Sequence, residues 1–214
     1  MVELERIVAD LVEKAERRFY GKYRGIVIDD DDPLRLGRVK VSVPSVLGQD
    51  VVTGWATPCV PYGGAAGQGL LFVPQRGAGV WVEFEEGDLE FPIWVGTYWC
   101  QPGGDSQAPK PNDTTGKQLA EVKQPPTRKI IKTAKGHTIQ FEDADDAEML
   151  LLREGSQGHL ITMNKDGVRI VDGTGNSIEM TDSAMTLAAK TAFTIDASGQ
   201  SVTIVADTID LQKG

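Results

Sequence analysis

The sequence predicts an all-β chain carrying a single helix at its N-terminus. Three observations carry that prediction. Apolar residues at helical spacing are confined to positions 4–19. Short β-branched and aromatic runs, punctuated by glycine and proline, fill positions 21–100. From position 128 onward, apolar pairs two residues apart recur at steps of seven to eleven residues. The expected organisation is an N-terminal amphipathic helix over 1–20, a small barrel over 21–100, a proline-rich linker over 101–127 and a repetitive β tail over 128–214.

Composition narrows the function. The 214 residues are 40% apolar and 25% charged, with a net charge of −9. No run approaches the roughly eighteen apolar residues of a membrane span. The acidic, amphipathic start is unlike a secretory signal, so synthesis in the cytoplasm without a signal peptide is expected. Cys59 and Cys100 are too few for a disulfide framework and are expected to be inert core thiols. An acidic surface repels phosphate backbones, so no nucleic-acid partner is expected.

In the first element, Leu4, Ile7, Val8, Leu11, Val12, Ala15 and Phe19 fall on one helical face, with Glu and Arg residues opposite. That face either packs on its own domain or docks onto another subunit. The second element is built from Tyr23–Ile28, Arg38–Val43, Trp55–Thr57, Gly69–Val73, Val80–Phe84 and Phe91–Val95, each a short β run bounded by turn residues. Five or six such strands with no convincing helix suggest an OB-like closed barrel. The linker, with Pro102, Pro109, Pro111, Pro125 and Pro126 among polar residues, is expected to stay extended without a core of its own.

The tail pairs are Ile139/Phe141, Leu150/Leu152, Ile161/Met163, Val168/Ile170, Ile178/Met180, Met185/Leu187, Phe193/Ile195, Val202/Ile204 and Ile209/Leu211. Period-two alternation puts both members of a pair on one face of a strand. Two inward side chains per strand make a strip too narrow to enclose a core, and a lone stack exposes long edges. Three chains around one axis solve both problems, so these eighteen residues are expected to form the core of a homotrimer, an intertwined triple-stranded β-helix.

Several constellations resemble sites but lack the required pattern. Asp29–Asp32 has neither the alternation nor the glycine of a calcium loop and is expected to be a solvated turn. The run Glu142–Glu148 could supply paired carboxylates for glycoside hydrolysis, but reads better as an exposed loop. Gly63–Gly69 lacks the Lys-Ser/Thr ending of a phosphate loop. Trp55, Trp81, Trp94 and Trp99 have no basic groove beside them, so burial in a core or interface is expected rather than base stacking. No catalytic residue, cofactor or metal ligand is singled out.

The barrel region resembles a known family. The residues concerned are Phe19–Val27, Asp32-Pro33-Leu34-Arg35-Leu36-Gly37-Arg38-Val39-Lys40-Val41, Trp55–Cys59, Phe72-Val73-Pro74, Gly79–Asp88 and Pro92–Gly96. They resemble the OB domain of the baseplate assembly protein V group, the central spike of contractile tails and contractile injection systems. That domain is shared with the type VI secretion spike VgrG. The tail resembles the family's trimeric β-helix in pattern.

The resemblance implies a mechanical role. In the family a trimer of OB domains sits under a hub and the β-prism projects as a needle, which breaches the target envelope when the sheath contracts. It also implies residence in the baseplate of a virion or injection particle and transient contact with a target membrane. Some members carry a lysozyme domain where this chain has only its linker. Others end in a His-x-His iron tip, whereas His137 and His159 lie far from the end of this chain. A PAAR-type tip protein is therefore the expected cap. VgrG carries its hub in the same chain; here about twenty residues precede the barrel, so a separate hub protein is expected, contacted by Leu4, Ile7, Val8 and Leu11. The competing readings are a β-helical polysaccharide-processing enzyme, which needs an acidic cleft, and an OB-fold nucleic-acid binder, which needs salt-dependent affinity for single strands.

Overall fold

The structure is a computed structural model in which residues 4–9, 12, 18–121 and 124–213 are described. The chain divides into two units, Met1–Ala108 and Pro109–Gly214. Strands dominate both, and the fold is all-β.

In the first unit, β1 (Tyr23–Asp29), β2 (Lys40–Ser42), β3 (Thr57–Pro58), β4 (Gly79–Phe84) and β5 (Pro92–Tyr98) form one sheet in the order β2-β1-β4-β5-β3. All pairings are antiparallel except β3 with β5. The outer strands meet: Val39 and Ala56 exchange backbone hydrogen bonds of 2.8 and 3.2 Å, and the Thr53 N–H donates to the Val41 carbonyl at 2.9 Å. The sheet thus closes into a five-stranded OB barrel.

The alternations Val39/Val41/Val43 and Val80/Val82/Phe84 put one face of each strand inside, where they meet Val27, Ala56 and Trp94. Trp94 fills the largest share of this narrow interior, and its indole N–H donates to the Gly37 carbonyl at 3.1 Å.

Sequence and structure part at identifiable places. Gly69–Val73 forms no strand: Leu70, Leu71 and Phe72 are consecutive and exposed, Leu71 at 81%, and a single backbone bond, from the Leu70 N–H to the Tyr62 carbonyl at 3.0 Å, does not extend into a ladder. Pro44–Leu47 adds one helical turn. Residues 4–9 and 12 are helical, but Arg18–Tyr20 are not. Phe19 belongs to the barrel instead. Its N–H donates to the Gly87 carbonyl at 2.8 Å and its ring meets Tyr23 edge-on. Gly87 has φ 76°, and a Cβ there would stand 2.9 Å from the Phe19 nitrogen, so both conformation and space demand glycine.

Asp32 is not solvated. It is buried, paired with the Arg38 guanidinium at 2.6 Å, and accepts the N–H groups of Leu34, Leu36 and Arg38. The Arg38 partnership, helped by those three N–H groups, holds its carboxyl far below the usual carboxylate range. The core-thiol expectation fails as well. Cys59, just past the short β3, is exposed, and Cys100 beyond β5 is half-buried, because both follow the strands rather than lie within them.

The second unit is a seven-stranded antiparallel meander: β6 (Arg128–Lys132), β7 (Thr138–Glu142), β8 (Met149–Arg153), β9 (Leu160–Asn164), β10 (Gly167–Val171), β11 (Ser177–Met180) and β12 (Met185–Ala188), paired in chain order. β6 precedes the first apolar pair. Lys-Ile-Ile-Lys between Pro126 and the Thr133–Gly136 turn is its signal in the sequence.

Candidate functional site

Strict antiparallel pairing without a register slip turns the repeat into two straight columns across one face of the tail sheet. One column runs Ile131, Ile139, Leu152, Ile161, Ile170, Ile178, Leu187. The other runs Phe141, Leu150, Met163, Val168, Met180, Met185. Every apolar pair from Ile139/Phe141 to Met185/Leu187 lies in them. A slip of one residue in any strand would send its pair to the opposite face, so the register is what the pairs specify.

These side chains stay open to solvent. Ile139, Phe141, Leu150 and Leu152 are 42–43% exposed, and Leu187 is 55% exposed. Over β7–β9 the opposite face carries Thr138, Gln140, Glu142, Met149, Leu151, Leu160 and Thr162, and there it is this mixed face that is buried. A one-sided sheet ordinarily buries its apolar face and wets its polar one. Here the arrangement is inverted within a single chain.

The cover on the mixed face comes from the segment expected to be a coreless linker. Pro111 and Asn112 are buried, and the pairing with Gln140 is reciprocal. The Asn112 N–H donates to Gln140 Oε1 at 2.8 Å, while Gln140 Nε2 donates to the Asn112 carbonyl at 2.8 Å. Asn112 Nδ2 reaches the Gly116 carbonyl at 2.7 Å, and the Lys132 ammonium donates to the Lys110 carbonyl and Gln118 Oε1. Gly116 has φ 83°, and its missing side chain admits Arg153 and Leu160, whose atoms would lie 3.4–3.5 Å from a Cβ there. Prolines kept this segment out of regular ladders, but side-chain amides supply the hydrogen bonds the ladder would have given. Gln140→Ala leaves two buried backbone groups of Asn112 unpaired. It is expected to lower stability by about 1–3 kcal/mol and to open residues 109–119 to limited proteolysis.

Turns along the sheet are capped by carboxylates. The N–H groups of Ser156 and Gln157, then Gly158, pull Glu154 down from 4.5 to about 2. Thr174 and Asn176 lower Asp172 in the same direction. A lowered carboxylate stabilises the fold above its unfolded value and loses that contribution as it is protonated. For Glu154 the loss runs from about pH 4.5 down to about pH 2. Glu154→Gln is therefore expected to flatten the pH dependence of the tail's unfolding midpoint across that window and leave it unchanged above pH 6, as followed by circular dichroism.

Other expected site residues fall as follows. Phe193, Ile195, Val202, Ile204, Ile209 and Leu211 are exposed and lie in residues with no strand assigned. Their alternation continues, but a strand also needs a backbone partner, and none pairs with them among the described residues. Leu4, Ile7 and Val8 are exposed on helical residues; Leu11 lies outside the described residues. Of the tryptophans, Trp94 is in the core. Trp81 and Trp55 lie under the cations Arg24 and Lys40 at 5.5 and 4.8 Å, and Trp99 is 67% exposed. The run from Asp143 to Glu148 is a largely exposed turn, whereas Glu142 ends β7, buried against Arg128. Among the described residues no helix is long and apolar enough to cross a membrane.

Comparison with known proteins assigns both units. Residues 23–99 match the family model of the type VI secretion system/phage-baseplate injector OB domain. Residues 129–214 match that of the phage baseplate V C-terminal trimerisation domain. A search of the curated proteins finds no match. The trimerisation match falls on the unit whose apolar face is open, and the OB match on the closed barrel. Together they cover most of the sequence, and the chain belongs to the phage baseplate V family of injector proteins.

Proposed function

We propose that the chain is the central spike of a contractile injection machine: a homotrimer that docks on a separate hub and pierces the target envelope when the sheath contracts. The observation that carries this reading is the pair of open apolar columns on a sheet whose other face is already covered over β7–β9. Three copies, each turning its columns toward a common axis, would bury them together. The match to a trimerisation domain over the same residues supports three copies rather than two.

In this reading the machinery is mechanical rather than catalytic. The eighteen paired residues form the trimer core, and those from Phe193 to Leu211 gain strand partners from neighbouring copies in an intertwined β-helix. The exposed Leu4, Ile7 and Val8 on the N-terminal helix contact the hub, together with Leu11, and a PAAR-type protein caps the far end. In this reading the helix (1–20), barrel (21–100), linker (101–127) and tail (128–214) keep the order read from the sequence, with Phe19 packed into the barrel and residues 109–119 packed on the tail sheet.

Sedimentation equilibrium of the full chain tests the trimer. Three copies at micromolar concentration are expected, and a monomer with a folded tail overturns the reading. Cryo-electron microscopy of the assembled particle tests the rest, by density for three copies between hub and tip.

A further inference from the structure

One edge of the tail sheet repeats a hydrogen-bond pattern that neither the apolar columns nor trimer formation requires. The turns β6–β7, β8–β9 and β10–β11 all lie on this edge. Each is closed by a backbone bond from its first residue to its last: Thr133 N–H to the His137 carbonyl at 3.0 Å, Glu154 to His159 at 2.8 Å, and Asp172 to Asn176 at 3.0 Å.

The residue that closes each turn then reaches the next turn with its side chain. The Gly155 N–H donates to His137 Nδ1 at 3.1 Å, and the Gly173 N–H donates to His159 Nδ1 at 3.0 Å. The Lys190 N–H donates to Asn176 Oδ1 at 2.7 Å. All three acceptors occupy the δ position of the side chain. All three bonds run the same way, from an acceptor on one turn to a donor on the next connection along this edge, the last being the segment that follows β12.

The recipients are shaped for this contact. A Cβ on Gly155 would lie 2.0 Å from the Lys135 carbonyl oxygen, and one on Gly173 would lie 2.3 Å from that of Gln157. Neither glycine is among the positive-φ residues. Backbone conformation therefore does not explain them; the close approach of one turn to the next does.

We propose that His137, His159 and Asn176 are positioning residues forming a directional stacking code, in which each finished turn is the template that fixes the next. Local stability is then passed along the chain toward the C-terminus. The last acceptor, Asn176, fixes the main chain at Lys190, just before the residues that continue the apolar alternation. Accepting an N–H at Nδ1 uses the lone pair of that ring nitrogen. The inference rests on bonds within one chain and does not depend on the spike reading.

Amide hydrogen exchange on the full chain tests it, with wild type, His159→Ala and His159→Asn compared. In His159→Ala, exchange at Gly173 and in the peptides spanning 165–191 is expected to rise about five- to tenfold, the effect of one lost hydrogen bond. Exchange in β7 and β8, which precede the broken link, is expected to stay unchanged. His159→Asn supplies a δ acceptor of the kind Asn176 already uses and is expected to restore protection. Uniform acceleration across the tail would reduce His159 to a general stabilising residue and overturn the directional code. Unchanged exchange, or no rescue by Asn, would overturn it too.

Discussion

Ile161→Asp is expected to leave the full chain monomeric at micromolar concentration with its barrel still folded. Ile161 sits at the centre of its column, between Leu152 on β8 and Ile170 on β10. The substitution removes roughly 1.5–3 kcal/mol of apolar burial from every copy. It also sets three carboxyl groups together where water is excluded, so each must be neutralised or remain charged at a larger cost. Because one substitution acts three times in a symmetric assembly, the penalties compound. Light scattering with size exclusion reads the mass directly. Met163→Leu, on the same strand and nearly volume-conserving, is the control and should remain trimeric. Ile161→Asp trimers with an unchanged melting temperature would show that the columns do not face a common core.

Trp94→Ala is expected to destabilise the barrel by about 3–5 kcal/mol, the cost of a large cavity in a core that cannot collapse to fill it. Valines dominate the buried cluster to which the indole belongs, and short branched side chains cannot extend into the space it leaves. The Gly37 carbonyl, next to the Asp32–Arg38 pair, would lose its donor as well. Trp94→Phe retains most of the volume and isolates the hydrogen bond, at about 1 kcal/mol. Denaturant unfolding followed by near-ultraviolet circular dichroism separates the two variants. A Trp94→Ala midpoint within experimental error of wild type would mean that the barrel is held by its strand ladder rather than by its interior.

The parts of this fold legible in the sequence are those where side-chain period and backbone partner coincide. Val39/Val41/Val43 and Val80/Val82/Phe84 alternate and also find neighbours, so they appear as barrel walls. Leu70-Leu71-Phe72 is equally apolar but does not alternate and makes only one backbone bond, to Tyr62, so it remains a loop. Phe193/Ile195 and the two pairs after it alternate correctly yet stand unladdered, since periodicity describes a side-chain face and not the strand beside it. The candidate site was legible in its residues and not in its setting. Nothing in the composition of 109–119 announces that Asn112 and Gln140 exchange hydrogen bonds. Long-range amide pairing leaves no periodic trace, and the covering of the mixed face therefore had to be seen. Asp32 is similar. Four consecutive aspartates look alike in sequence, and only the geometry of three N–H groups and Arg38 distinguishes the one that holds the loop together.

The open apolar face also bears on what the stability of such a chain means. For the barrel, whose core is complete within one copy, unfolding is a first-order equilibrium and its midpoint is independent of dilution. For a tail that completes its core only with two further copies, the unfolded population depends on the square of total chain concentration as well as on temperature. The two halves of one polypeptide would then melt by different laws: on a dilution series the barrel transition stays fixed while the tail transition moves to lower temperature.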